Sequence, residues 1–257
     1  MRIKDFFIKL VSFKRVRNKL AVLLDCDQSI KINEKTRCLF VAPHPDDEII
    51  GGGGVMCLFP SNFDVVVLGS SGTDYKERKA ADHARVRTVE FDTVMNALGI
   101  KNHWIFQTIG VRGVEQMTAH FEEYIAALKT EKYDYIFLPV PHDRHQDHSY
   151  VTHTLFKQIL LTNGFKNNLR IAFYEVWSLI PNPNVFIDTT SVIEEKTRIL
   201  RLYKSAHILF QYADISRGLN RYRGSQANLP LGYAEAFFVD SVHNYLQADY
   251  QVPLNGQ

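Results

Sequence analysis

Two apolar runs in this chain each stop against a cluster of histidines and carboxylates. Leu39-Phe40-Val41-Ala42 is followed by Pro43-His44-Pro45-Asp46-Asp47-Glu48, and later Tyr135-Ile136-Phe137-Leu138-Pro139-Val140 is followed by His142-Asp143-Arg144-His145-Gln146-Asp147-His148. Short, continuously apolar runs are what strands buried on both faces of a parallel sheet require. In an open α/β sheet, the C-terminal ends of neighbouring parallel strands border the crevice where ligands bind. Either cluster alone reads as turn chemistry, because proline fixes φ and aspartate favours turns and helix N-caps. Both together, each directly after an apolar strand, predict one shared metal site. His44 and Asp47, at i and i+3 across Pro45, can reach a single ion. The spacing alone leaves open which of Asp46 and Asp47 is the ligand.

The remaining pattern alternates strand and helix. Residues 38–42, 64–68, a short stretch within 100–107, 135–139, 171–177 and 185–187 read as strands. Helices are predicted over 49–59, 76–98, 114–128 and 149–161, with a further one opened by Ser191 and Glu194 at capping-box spacing. Alternation of this kind predicts an α/β fold, a Rossmann-like, mostly parallel sheet with helices on both faces. The chain has 257 residues and 46% hydrophobic content, enough for one substantial core. Gly51 to Gly54 allow the first helix to approach the sheet closely, at a cost in helix propensity. They do not complete a dinucleotide-binding GxGxxG, and Asp46, Asp47 and Glu48 would repel a pyrophosphate, so nicotinamide binding is excluded.

Charge is uneven. Residues 1–20 hold Arg2, Lys4, Lys9, Lys14, Arg15, Arg17 and Lys19 against Asp5 alone, with Ile3, Phe6, Phe7, Leu10, Val11 and Leu20 at near-helical spacing. Residues 1–35 therefore read as a basic amphipathic N-terminal segment ahead of a domain spanning 36–257. Its first helix is expected either to dock on the domain or to lie on an anionic membrane surface. Charges interrupt every candidate signal-peptide core, and no apolar run is long enough to span a bilayer. Cys26, Cys38 and Cys57 are odd in number and form no CxxC, which fits a reducing cytoplasm, either free or against the inner face of the membrane. A net charge of +2 argues against nucleic acid as a partner.

His44-Pro45-Asp46-Asp47-Glu48, the glycines after it and His145-Gln146-Asp147-His148 resemble the LmbE/PIG-L family of zinc-dependent N-acetylglucosamine deacetylases. Arg87-x-x-Glu90 with Ala97-Leu98-Gly99, the Lys196–Ser205 stretch and Tyr233-Ala234-Glu235-Ala236-Phe237 are similar to weaker family segments, so the resemblance covers roughly Cys38 to Val239. It implies an LmbE-like fold and metal ligands His44, Asp47 and His148. It also implies Asp46 as general base and a substrate contact from Arg87. Two imidazoles and one carboxylate suit Zn²⁺, and also Fe²⁺ or Co²⁺. His145 is the expected second donor to an oxyanion, with Asp147 orienting it and favouring its protonated form. The implied substrate is a small-molecule or lipid-linked N-acetylamino sugar. The alternatives are another N-acyl amine, or an inactive metal-binding module that recognises a sugar. Tyr203, Lys204, Tyr212, Arg217, Arg221, Tyr222 and Arg223 read as a sugar-lining stretch or a surface helix, and His142 and Asp143 as ordinary loop residues.

Overall fold

A computed structural model describes residues 30–69, 80–106, 117–206 and 211–248. The strands β1 (Cys38–Ala42), β2 (Phe63–Val67), β3 (His103–Ile105), β4 (Tyr135–Pro139), β5 (Arg170–Tyr174), β6 (Val185–Asp188) and β7 (Ala234–Ser241) form one sheet in the order β3-β2-β1-β4-β5-β7-β6. From β3 to β5 every pairing is parallel, and β7 runs antiparallel to both its neighbours. The chain leaves β1 toward β2 on one side and meets β4 on the other. The gap between β1 and β4 is therefore the topological switch point, where such sheets bind ligands.

Strand β1 is fully buried and divides its side chains by parity: Cys38, Phe40 and Ala42 enter one core, Leu39 and Val41 the other. The first core is closed by α1 (Asp47–Leu58), α2 (Ala80–Leu98), α6 (Ile193–Leu200) and α7 (Tyr212–Gln226). The second is closed by α3 (Phe121–Ala127), α4 (Gln146–Tyr150), α5 (Phe156–Asn163) and α8 (Val242–Gln247). Helices thus cover both faces, as the alternation predicts. Ile30 and Ile32 pack against the first core. The basic stretch 1–20, on which membrane contact was read, lies outside the described residues, as do Ser70 to Asp74 and the start of the 76–98 helix. Among the described residues no helix is long and apolar enough to cross a membrane.

Three local expectations change. The helix predicted from Ser149 starts at Gln146, because His145 caps it: its Nδ1 accepts the Asp147 N–H at 3.3 Å. It then passes through a π-helical turn, Val151–Leu155, into α5. The capping box of Ser191 and Glu194 is not made; a 3₁₀ turn at Thr190–Val192 leads into α6 without a side-chain cap. Residues 234–241, noted only as a family-like segment, form the antiparallel strand β7.

The kink in α1 governs the site. Gly52 leaves helical geometry at φ −147°, ψ 15°. A Cβ on Gly51 would come within 2.2 Å of the Tyr174 ring, and one on Gly52 within 2.3 Å of the Phe40 ring. Only glycine lets the helix lie this close to β1 and β5. The kink frees backbone groups that distant charges then satisfy. Glu235 on β7 accepts the N–H groups of Gly54 (2.6 Å) and Val55 (2.8 Å), starting the second half of the helix as an N-cap would. Lys196 on α6 donates to the Ile50 carbonyl (3.0 Å), to Asn220 (2.8 Å) and to Glu235 (2.8 Å). Lys196 and Glu235 are almost wholly buried. Removing one partner of a buried pair strands the other and costs about 3–5 kcal/mol. Lys196→Met is therefore expected to lower the Tm by roughly 10 °C. Calorimetry checks this, and an unchanged Tm would show that Glu235 needs no counter-charge.

Candidate active site

His44 follows β1 and Pro43, and its imidazole turns toward the ends of β4 and α4. Asp47 opens α1, and His148 lies in α4 with no exposure. Their facing atoms form a close triangle. His44 Nδ1 is 3.3 Å from Asp47 Oδ2, His148 Nε2 is 3.1 Å from the same oxygen, and the two ring nitrogens are 3.4 Å apart. A tetrahedral zinc with bonds near 2.1 Å needs its ligand atoms about 3.4 Å apart, so the three groups fit a divalent ion. The three imidazoles of His44, His145 and His148 also offer atoms within 4.8 Å of one another. That wider set suits a shared bond to one ion less well than the His44–Asp47–His148 triangle. Electrostatics agree. Burial alone would lower the His148 pKa, yet Asp47 and Asp143 push it up to about 10. Burial alone would raise that of Asp47, yet His148 and His44 hold it well below the usual carboxylate range. The donor set favours positive charge at its centre.

Each histidine of the triangle has a carboxylate on its far side, the arrangement that metal-binding histidines require. His44 Nε2 donates to Asp147 Oδ2 at 2.8 Å. His148 Nδ1 lies 3.6 Å from Asp143 Oδ2. The Asp143 carboxylate also accepts N–H groups from His145 (2.8 Å), Trp177 (3.1 Å) and Ser178 (3.3 Å). It is a buried hub rather than an ordinary loop residue. Its only sequence signal was its place at the exit of β4, five residues before His148.

Two expectations for His145 are corrected. The Asp147 carboxylate bonds His44, not His145, to which it contributes only its backbone N–H. His145 is also not held protonated: burial first, then the charges of His44 and His148, lower it to about 4. With Nδ1 accepting from the backbone, its Nε2 carries the proton, so the ring is a neutral donor.

Asp46 sits beside the triangle in left-handed backbone, φ 103° and ψ −29°, a conformation aspartate tolerates better than most residues but at a cost. Glu48 sustains it: one carboxylate oxygen accepts the Asp46 N–H at 3.0 Å and the other accepts the Tyr203 hydroxyl at 2.5 Å. Arg87 approaches from α2, with Nη2 3.0 Å from Asp46 Oδ2 and also bonded to the Pro45 carbonyl. Burial raises Asp46 to about 6, against the pull of Arg87. Arg87 does not pair with Glu90, which instead accepts from Ser205. The expected substrate contact is thus a residue engaged with Asp46, although its buried Nε has no hydrogen-bond partner among the described residues.

The aromatic and basic stretch divides. Tyr203 is buried on Glu48, and Arg223 is buried with Glu175. Arg217 and Arg221 stack on Tyr233. Tyr212 meets Trp177 edge-on, with ring centroids 5.8 Å apart. The strand predicted over 171–177 ends at Tyr174, which leaves Trp177 on the loop whose N–H groups hold Asp143.

The family described as PIG-L: GlcNAc-PI de-N-acetylase matches residues 39–160, which span both histidine clusters. A diacetylchitobiose deacetylase from Thermococcus kodakarensis is 26% identical over 216 residues, 77% of this chain and 80% of that protein. Among solved structures, the N,N'-diacetylchitobiose deacetylase of Pyrococcus horikoshii, complexed with its inhibitor, is similar in fold with a TM-score of 0.66. That likeness is at 20% identity and covers 95% of this chain and 97% of that one. The 4-carboxy-2-hydroxymuconate hydratase of Pseudomonas putida shares the fold at a TM-score of 0.61 and 17% identity, over 79% of this chain and 95% of its own. Because a hydratase and a deacetylase share the architecture, the fold alone does not fix the reaction. Over residues 39–160, which hold both histidine clusters, the chain thus resembles the PIG-L (LmbE-like) family, and the relative over most of the chain and the shared fold agree with that likeness.

Proposed function

We propose that the protein is a metal-dependent N-deacetylase acting on an N-acetylglucosamine-type sugar, releasing acetate and a free amine. The observation that carries this reading is the His44–Asp47–His148 triangle, with ligand atoms 3.1–3.4 Å apart, directly beside an independently held Asp46. His44, Asp47 and His148 would hold the ion, Zn²⁺, Fe²⁺ or Co²⁺, and a divalent ion so held supplies Lewis acidity toward an amide carbonyl and a water nucleophile. The chain's own groups supply the rest. Asp46, adjacent to the ligand Asp47 but turned to Arg87, takes the proton of the attacking water and returns it to the leaving amine. His145 offers its Nε2–H to the oxyanion as a neutral donor. Asp147 and Asp143 fix the ring orientations of His44 and His148. Arg87 holds Asp46 in place, and its unpartnered Nε is available to a sugar hydroxyl.

Acetate release is the direct test. Protein stripped with a chelator and reloaded separately with Zn²⁺, Fe²⁺ or Co²⁺ is expected to release acetate from N-acetylglucosamine or N,N'-diacetylchitobiose with at least one ion. The stripped protein should release none. Absence of acetate from every sugar with every ion would overturn the reading.

A further inference from the structure

Resting on the metal-site reading above, we propose that Glu175 and Arg223 are positioning residues of the metal centre. The buried pair fixes the loop after β5, and that loop holds the carboxylate behind His148. Neither residue is part of the His44–Asp47–His148 triangle, and the link runs outward from it through Asp143. Asp143 Oδ2 faces His148 Nδ1 at 3.6 Å, and the same oxygen accepts the N–H groups of Trp177 (3.1 Å) and Ser178 (3.3 Å). The other oxygen accepts the His145 N–H at 2.8 Å. One carboxylate thus stands behind the ring of His148 and the backbone of His145. Two of the three N–H groups that fix it come from residues 175–180, so its position depends on that loop as much as on its own segment.

Residues 175–180 form neither strand nor helix, so no ladder of backbone bonds holds the loop in shape, and its polar groups need other partners. Two sets of ties supply them. One joins it to the loop after β4: the Val140 N–H donates to the Tyr174 carbonyl (3.0 Å), His142 Nε2 to the Leu179 carbonyl (3.0 Å) and the Arg144 N–H to Ser178 Oγ (2.9 Å). The other clamps both ends of the loop from α7. Glu175 accepts the Ile180 N–H at 2.6 Å, Arg223 Nη2 donates to the Ile180 carbonyl at 2.9 Å, and Arg223 Nε donates to Glu175 at 3.1 Å. The Trp177 and Ser178 N–H groups lie between the clamped ends. Glu175 and Arg223 are 4% and 2% exposed, so water does not compete for these charge-assisted bonds. A guanidinium can grip a carboxylate and a carbonyl at once because its donors form a rigid planar fork, whereas an ammonium is a point charge.

Arg223→Lys tests the clamp without stranding a buried carboxylate, because it keeps the positive charge beside Glu175 and gives up only the fork. Its affinity for Zn²⁺, measured by chelator competition, is expected to fall about tenfold, the lower end of the range for outer partners of a metal ligand. Asp64→Asn is the control for lost stability alone. Asp64 lies in β2, toward the opposite end of the sheet, and accepts from Arg37, Tyr133 and Asn102. That variant should lower the Tm and leave Zn²⁺ affinity at the parental value. A second readout needs no metal. In the stripped proteins, amide hydrogen exchange at Trp177 and Ser178 should be faster in Arg223→Lys than in the parent and unchanged in Asp64→Asn. Parental Zn²⁺ affinity in Arg223→Lys, an equal loss in Asp64→Asn, or unchanged exchange at both amides overturns the proposal. If the parent binds no divalent ion and Arg223→Lys still releases the two amides, the hold on Asp143 stands and the metal-site reading falls.

Discussion

Asp47→Ala is expected to empty the metal site. Asp47 Oδ2 is the one atom that contacts both imidazoles of the triangle, and it also accepts the His44 backbone N–H at 2.9 Å. On the proposed ligand set, its loss would remove a ligand and at the same time release the turn that aims His44. Removing an orienting partner of a ligand costs about 10–100-fold in metal affinity. Asp147→Asn, which weakens only the support behind His44, is expected to fall in that range. Asp47→Ala should fall well below it, with acetate release lost at any practical metal concentration. Chelator competition on the stripped proteins measures both. Equal affinity in Asp47→Ala and the parent would mean that the three imidazoles of His44, His145 and His148 hold the ion without a carboxylate.

Much of this architecture was legible because it is written in short segments. The apolar runs at 38–42 and 135–139 coincide with β1 and β4, and they lie side by side at the switch point. The histidine clusters follow those strands directly, so strand identity alone brings them together. What stayed illegible depends on pairing between distant segments. Glu175 meets Arg223 and Lys196 meets Glu235 only because β5, β7 and two helices converge on one face of the sheet. Neither pair carries a local spacing signal. The antiparallel β7 was missed for a related reason: Ala234-Glu235-Ala236 interrupts its apolar pattern, and Glu235 is buried only because α1 is kinked above it. The mistaken pairing of Asp147 with His145 has a geometric cause. Residues i and i+2 at the start of a helix point to different sides, so the Asp147 side chain crosses to His44 while its backbone N–H stays with His145.

Asp46→Asn is the complementary experiment, and it separates base from ligand. Asparagine tolerates the left-handed backbone that this position requires and keeps the N–H that Glu48 accepts. Alanine at the same site would add backbone strain of roughly 1–2 kcal/mol and blur the result. The amide is nearly the shape of the carboxylate but cannot accept a proton at neutral pH. The triangle of His44, Asp47 and His148 does not use the Asp46 side chain, which points to Arg87 instead. Metal stoichiometry and affinity are therefore expected to stay at parental values while kcat falls by about 10²–10⁴, the usual contribution of a general base. KM should change little, because the loss belongs to proton transfer in the transition state rather than to ground-state binding. An Asp46→Asn protein that loses its metal would make Asp46 the carboxylate ligand. One that keeps both metal and full turnover would require another base.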